Sequence, residues 1–178
     1  MKDRIEIVAS GFGGQGVVRL GQIIGATGVK QGLRVSMLKS HGTEMRGGYV
    51  RTQVVLSKEA IDSPMCESPD YFIALSSAAY MRFKDTVPDD GIIFYDPAFV
   101  EEIDESLTCT QKAIPAKGLS VDNFDNPLFA NSVVLGVIAK AVDVLEKDTV
   151  LESILEVIPK FHEQNREAFK IGYEMIED

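Results

Sequence analysis

The chain has 178 residues, 45% of them hydrophobic, a formal net charge of -9 and a pI near 4.8. That suits one domain spanning 1–178 with a substantial core, and the acidic balance excludes a polyanion partner, because nucleic-acid affinity comes from neutralising phosphates with Lys and Arg. No apolar run reaches the roughly 18 residues of a membrane span, "MKDRIEIVAS" lacks a signal-peptide core, and the two cysteines, Cys66 and Cys109, fit free thiols in a cytoplasmic chain.

"RIEIVAS" (4–10) reads as a buried strand ending at glycine. A helix over 17–32 comes next, with Val17, Leu20, Ile24 and Val29 near one face and Gly32 as C-cap. "LRVSMLKS" (33–40) is a second strand, so the start reads as a βαβ unit with a right-handed crossover. Strands are expected at 49–57, 71–76, 91–96 and 107–116, with a helix in "SAAYMRFKDTV". From Pro127 the texture becomes helical. Val134, Ile138, Val142 and Leu145 share helical spacing, a further helix starts at Asp148 or Thr149 and ends at Pro159, and a polar helix carries Phe161, Asn165, Phe169 and Tyr173 in one stripe. The expected fold is α/β: a single Rossmann-like domain, a mostly parallel sheet flanked by helices, with a C-terminal helical portion.

Two segments carry chemistry. "SGFGGQGVVRLGQ" places Gly11, Gly13 and Gly16 in a G-x-G-x-x-G pattern between a strand and a helix, with Gly14 and Gln15 inside it. Glycines let the chain turn tightly and let an anion approach the amides at a helix N-terminus. A dinucleotide site also wants a carboxylate at the end of the second strand to hold a ribose. That strand ends in Lys39 and Ser40, with no acid before Glu44, which counts against NAD. A different phosphate, or a tight turn with no ligand, stays open. In "SHGTEMRGGYV", Glu44, Arg46, Gly47 and Gly48 form a second loop at the same sheet edge if the strands are parallel. Its arginine either grips a phosphate or carboxylate bidentately or pairs with Glu44 on a glycine turn.

Taken in order, Gly11-Phe12-Gly13-Gly14-Gln15-Gly16, Glu44-Met45-Arg46-Gly47-Gly48, Ile61-Asp62-Ser63-Pro64 before Asp70-Tyr71-Phe72, and the late "NPLFANSVVLGVIAKA" and "EQNREAFKIGYE" cover nearly the whole chain. The set resembles the gamma subunit of 2-oxoacid:ferredoxin oxidoreductases. The resemblance implies a subunit of a complex that decarboxylates a 2-oxoacid oxidatively, forms an acyl-coenzyme A and reduces ferredoxin. It implies alpha, beta and delta-type partners that hold thiamine diphosphate, Mg²⁺ and [4Fe–4S] clusters. None of these groups is expected on this chain: it has no thiamine-diphosphate pattern, and two cysteines cannot ligate a cluster that needs four thiolates. The glycine loop and the Glu44–Gly48 run would then face coenzyme A, the phosphate-bearing substrate. Pyruvate, 2-oxoglutarate, branched-chain 2-oxoacids and indolepyruvate all remain open as oxoacids, with 2-oxoglutarate slightly preferred. The rival readings are a stand-alone NAD(P)-binding protein and an assembly subunit whose loop binds nothing.

Among the other residues, His41 and His162 have no metal-ligand spacing. Cys66 lies in a loop without a visible base, and Cys109 reads as core. "EEIDES" (101–106) reads as a solvated acidic loop, and Asn131 or Ser132 as a helix cap or a contact to a partner subunit. An interface is expected over 41–48 and 58–70, including Pro64, Met65 and Pro69, through which the isolated chain can form a homodimer.

Overall fold

A computed structural model describes residues 2–41 and 49–176. Six strands, β1 (Arg4–Phe12), β2 (Arg34–His41), β3 (Tyr49–Ser57), β4 (Tyr71–Ala74), β5 (Ile92–Tyr95) and β6 (Thr110–Ala113), form one sheet in the order β2-β3-β1-β4-β5-β6. Six helices flank it: α1 (Val17–Lys30), α2 (Ser77–Phe83), α3 (Ala116–Phe124), α4 (Ala130–Ala141), α5 (Lys147–Val157) and α6 (His162–Glu174). Among the described residues no helix is long and apolar enough to cross a membrane.

The central strands are apolar on both faces because both are covered. Ile5, Ile7 and Ala9 of β1 enter a large core with α1, α4, α5 and α6, while Val8 enters a smaller core with Phe72, Tyr80 and Phe83 around α2. The period of two repeats in β3, where Val54 and Leu56 face the large core and Val55 the small one. The helix over 17–32 ends as expected: the Gly32 amide donates to Val29 and the Leu33 amide to Gly28, with Gly32 at a φ of 76°.

The first unit departs from the expected βαβ pairing. β1, β4, β5 and β6 run parallel, but β3 is antiparallel to both β1 and β2 and lies between them. β2 therefore points the same way as β1 without touching it. With strands about 4.8 Å apart, its end lies roughly 10 Å from β1, one strand spacing further out than a dinucleotide fold would place it. Among the described residues, β2 ends in Lys39, Ser40 and His41 with no carboxylate at that position, and the strand itself is displaced from β1.

Three local readings are corrected. The helix expected from Asp148 or Thr149 starts at Lys147, with Glu146 at the N-cap position and no side-chain cap. The helical run from Pro127 breaks at Val142, which turns extended while Val142 and Leu145 stay buried. The acidic loop is not only solvated: Asp104 pairs with buried Lys84 at 2.7 Å, and that ammonium with two serine contacts holds its carboxyl down at about 2.

Helices α4 and α6 touch backbone to backbone. A Cβ on Gly136 would collide with the Phe169 carbonyl and lie 2.6 Å from the Tyr173 nitrogen; one on Gly172 would collide with the Val133 carbonyl and lie 2.7 Å from that carbonyl's carbon.

Candidate functional site

The carboxyl ends of β1, β4, β5 and β6 share one edge, where open α/β sheets bind ligands. A cavity of about 760 Å³ opens there, within the range of about 300–1,000 Å³ usual for ligand clefts. Each strand leads into a part of its wall: Gly14, Gln15 and Gly16 after β1, Leu75 after β4, Asp96 and Phe99 after β5, Ala116 and Lys117 after β6. The opposite wall comes from the start of α4 and from Ile158–Phe161.

The glycine loop is held at three points. Gln15 Nε2 donates to the Leu75 carbonyl at 2.7 Å, and Gln15 Oε1 accepts from the Phe12 amide at 2.6 Å. This amide bridges the ends of β1 and β4, so a side chain at Gly11 would collide with Gln15 Oε1 and sit 2.9 Å from Leu75 Cβ. The third hold is Asn131, whose Nδ2 donates to the Gln15 carbonyl at 2.9 Å. Asn131 packs where a Gly16 side chain would be, and Gly16 has a φ of 73°. No side chain caps α1, so its first-turn amides are left to a ligand or solvent. Gly13 has open space in front of its Cβ direction.

Charge on the cavity wall is lopsided. Arg19, Lys117 and Lys160 line it, against one carboxylate among the described residues, Asp96. That carboxylate is buried and already accepts from the Ala98 and Lys117 amides, both at 2.9 Å. Apolar surface comes from Leu75, Phe99, Leu128, Ile158 and Phe161. The wall at Lys160 and Phe161 is anchored through Asn165, which donates to both carbonyls and accepts from Ser132 at 2.7 Å. Asn131 and Ser132 thus build the cavity instead of capping a helix.

Of the loop residues read from the sequence, Gly14, Gln15 and Gly16 line the cavity, while Gly11 packs beneath the loop and Gly13 stands clear of it. Glu44, Arg46, Gly47 and Gly48 lie outside the described residues. The strand ends flanking them, His41 and Tyr49, pair with Val50 and Phe12 at this same edge. Arg19, Lys117, Asn131 and Lys160 complete the wall. A cation at the third position of α1 was the only local signal for Arg19, and α3 has no apolar stripe to announce Lys117.

Both thiols are buried. Burial pushes the Cys66 thiol up to about 12, and desolvation raises Cys109 as well. Neither is a nucleophile. Maleimide at pH 7.5 is expected to label neither in the native chain and both after unfolding. The folded Cys66 keeps its proton where the unfolded thiol loses one, so its contribution to stability is complete below about pH 9 and is lost as pH rises towards about 12. Melting temperature against pH checks this, and Cys66→Ala should flatten that slope.

A glycine loop at the carboxyl edge of a mixed α/β sheet, beside an amphipathic cleft, gives the chain the layout of the open-sheet α/β domains. Residues 6–175 match the family described as "Pyruvate ferredoxin/flavodoxin oxidoreductase", and the chain belongs to it. It is 34% identical to 2-oxoglutarate synthase subunit KorC of Methanocaldococcus jannaschii, over 100% of this chain and 97% of that one. Its structure matches the gamma subunit of a keto/oxoacid ferredoxin oxidoreductase from Geobacter sulfurreducens with a TM-score of 0.84 at 26% identity, covering 96% of each. It matches a 2-oxoglutarate:ferredoxin oxidoreductase from Magnetococcus marinus, bearing 2-oxoglutarate, coenzyme A and succinyl-CoA, with a TM-score of 0.84 at 25% identity; all of this chain spans 32% of that one.

Proposed function

We propose that this chain is the gamma subunit of a multi-subunit 2-oxoacid:ferredoxin oxidoreductase, with 2-oxoglutarate as the oxoacid, and that residues 1–178 work as one domain in it. The observation that supports this reading is the end-to-end similarity to 2-oxoglutarate synthase subunit KorC, 97% of which the match covers. Partner subunits of alpha, beta and delta type hold thiamine diphosphate, Mg²⁺ and [4Fe–4S] clusters, which supply decarboxylation and electron transfer to ferredoxin. Cys66 and Cys109 are two cysteines where a cluster needs four thiolates.

Coenzyme A is the substrate this chain would handle. Its phosphates suit the amides of Gly14–Gly16 and the start of α1, with Arg46 and the wall cations Arg19, Lys117 and Lys160 in support. Gln15 keeps the loop in shape, and Gly13 leaves its approach clear. The pantetheine arm suits the apolar strip of Leu75, Phe99 and Phe161. A cleft whose wall carries three cations and an apolar strip suits a ligand that combines phosphates with an extended amphipathic arm.

A thermal-shift series separates this from the rivals, since a ligand that prefers the native state raises stability by RT ln(1 + [L]/Kd). Coenzyme A should raise the melting temperature of the full chain, while NAD and NADP should not. A shift with NAD(P) alone would support a stand-alone dinucleotide protein. A shift with none would leave an assembly role.

A further inference from the structure

The small-core face of the sheet carries an unresolved charge. Arg51 lies half-buried in β3, its guanidinium 4.6 Å from the centre of the Phe83 ring. One of its terminal nitrogens donates two long bonds, to Gln53 Oε1 at 3.2 Å and to the Cys66 carbonyl at 3.3 Å. Its Nε is buried with no hydrogen-bond partner among the described residues. A second guanidinium, of exposed Arg82 on α2, lies 5.3 Å from the Tyr49 ring centre and 6.0 Å from that of Phe83. Those two rings meet edge to face at 5.2 Å. One aromatic pair therefore holds two like charges together.

Among the described residues, Lys2, Arg4, Lys30 and Lys84 each pair with carboxylates, but Arg51 and Arg82 form no ion pair. In a chain with a net charge of -9, two guanidiniums on shared rings, one with a buried donor that has no described partner, are cations that no described carboxylate neutralises. Neither arginine nor either ring lines the 760 Å³ cavity at the sheet edge. The surroundings are those of a protein contact. Met65, next to Cys66, is 45% exposed, and Met81, next to Arg82, is 60% exposed; Met and Arg are both enriched at interface cores.

We propose that Arg51 and Arg82 receive a carboxylate side chain of a partner subunit, making this face of α2 and β3 a docking surface for an acidic segment. The proposal rests on the reading of the chain as one subunit of a complex. The surface expected over 58–70 contributes Met65 and exposed Pro64, while Pro69 is buried and takes no part.

The test uses the full chain and the subunits that assemble with it, comparing wild type, Arg51→Met, Arg51→Lys and Arg82→Ala. Arg51→Met and Arg82→Ala are each expected to weaken association about tenfold or more, and to flatten its dependence on salt. Arg51→Lys, which keeps the charge but loses the fork, should fall between. The melting temperature of the isolated Arg51→Met chain should hold or rise, because a buried unsatisfied donor is removed. Wild-type affinity in both neutral variants would overturn the proposal. So would affinity lost only in step with the melting temperature of the isolated chain, or a parallel loss in Glu44→Gln, which would place the carboxylate in this chain. An Arg51-dependent rise in melting temperature with inorganic phosphate would replace the partner carboxylate by a small anion. If the wild-type chain assembles with no other subunit, the subunit reading itself fails and this proposal goes with it.

Discussion

Gly172→Ala is expected to lower the melting temperature by roughly 5–10 °C, and Gly136→Ala to do the same. Neither residue is exposed, and the obstacle in each case is backbone: the Val133 carbonyl for Gly172, the Phe169 carbonyl for Gly136. A flexible side chain can swing aside, whereas a helix must move as a body. Overpacking of this kind costs about 1–3 kcal/mol, occasionally more, and each kcal/mol lowers the midpoint by about 2–4 °C at this chain length. Gly118→Ala is the control, because nothing lies within 4 Å of its Cβ direction in α3; it should be neutral or slightly stabilising. Pushing α6 from α4 also strains the Ser132–Asn165 bond that anchors Lys160 and Phe161. The same variants should therefore bind coenzyme A less well. Calorimetry checks the first effect, and an unchanged midpoint in both variants would show that the helices have room.

Gly13→Val is expected to leave folding intact and to raise the coenzyme A concentration needed for half-maximal activity about ten- to a hundred-fold. The open space in front of Gly13 means that a branched side chain meets no protein atom, only an incoming ligand. Arg46→Ala should act in the same direction, since a charge-assisted bond is worth about 1.5–3 kcal/mol and each 1.4 kcal/mol is tenfold. Gly16→Val makes the contrast. It would strike Asn131 and force a branched residue to a φ of 73°, so it should damage folding first. The measurement is activity of the assembled enzyme against coenzyme A concentration, with size-exclusion chromatography of each variant. A Gly13→Val complex with unchanged coenzyme A dependence would leave the loop a purely structural turn.

Local signals made much of this legible. A run rich in β-formers marked β3 at 49–57 to the residue, and Gly32 closed α1 because only a positive φ lets the chain turn there. Strand order was not legible, because nothing within β3 itself marks it as pairing antiparallel to both β1 and β2. α3 escaped because its exposed Lys117, Val121 and Asp122 give no apolar stripe. The glycine loop was visible as a motif, but the division of labour within it was not. That Gln15 ties β1 to β4 and Asn131 latches the loop from 116 residues away are long-range facts. The cations of the cavity wall come from α1, α3 and the 158–161 corner, and only the folded sheet edge brings them together.

The most direct test is an omission assay. The complex is assembled from its subunits with and without this chain, and 2-oxoglutarate-dependent reduction of ferredoxin or a viologen dye is monitored as coenzyme A is varied. The chain alone should be colourless and inactive, the remaining subunits should lack coenzyme A-dependent turnover, and adding the chain should restore it in saturable fashion. Full coenzyme A-dependent turnover without the chain, or turnover by the chain alone, would contradict its place as the subunit that serves coenzyme A.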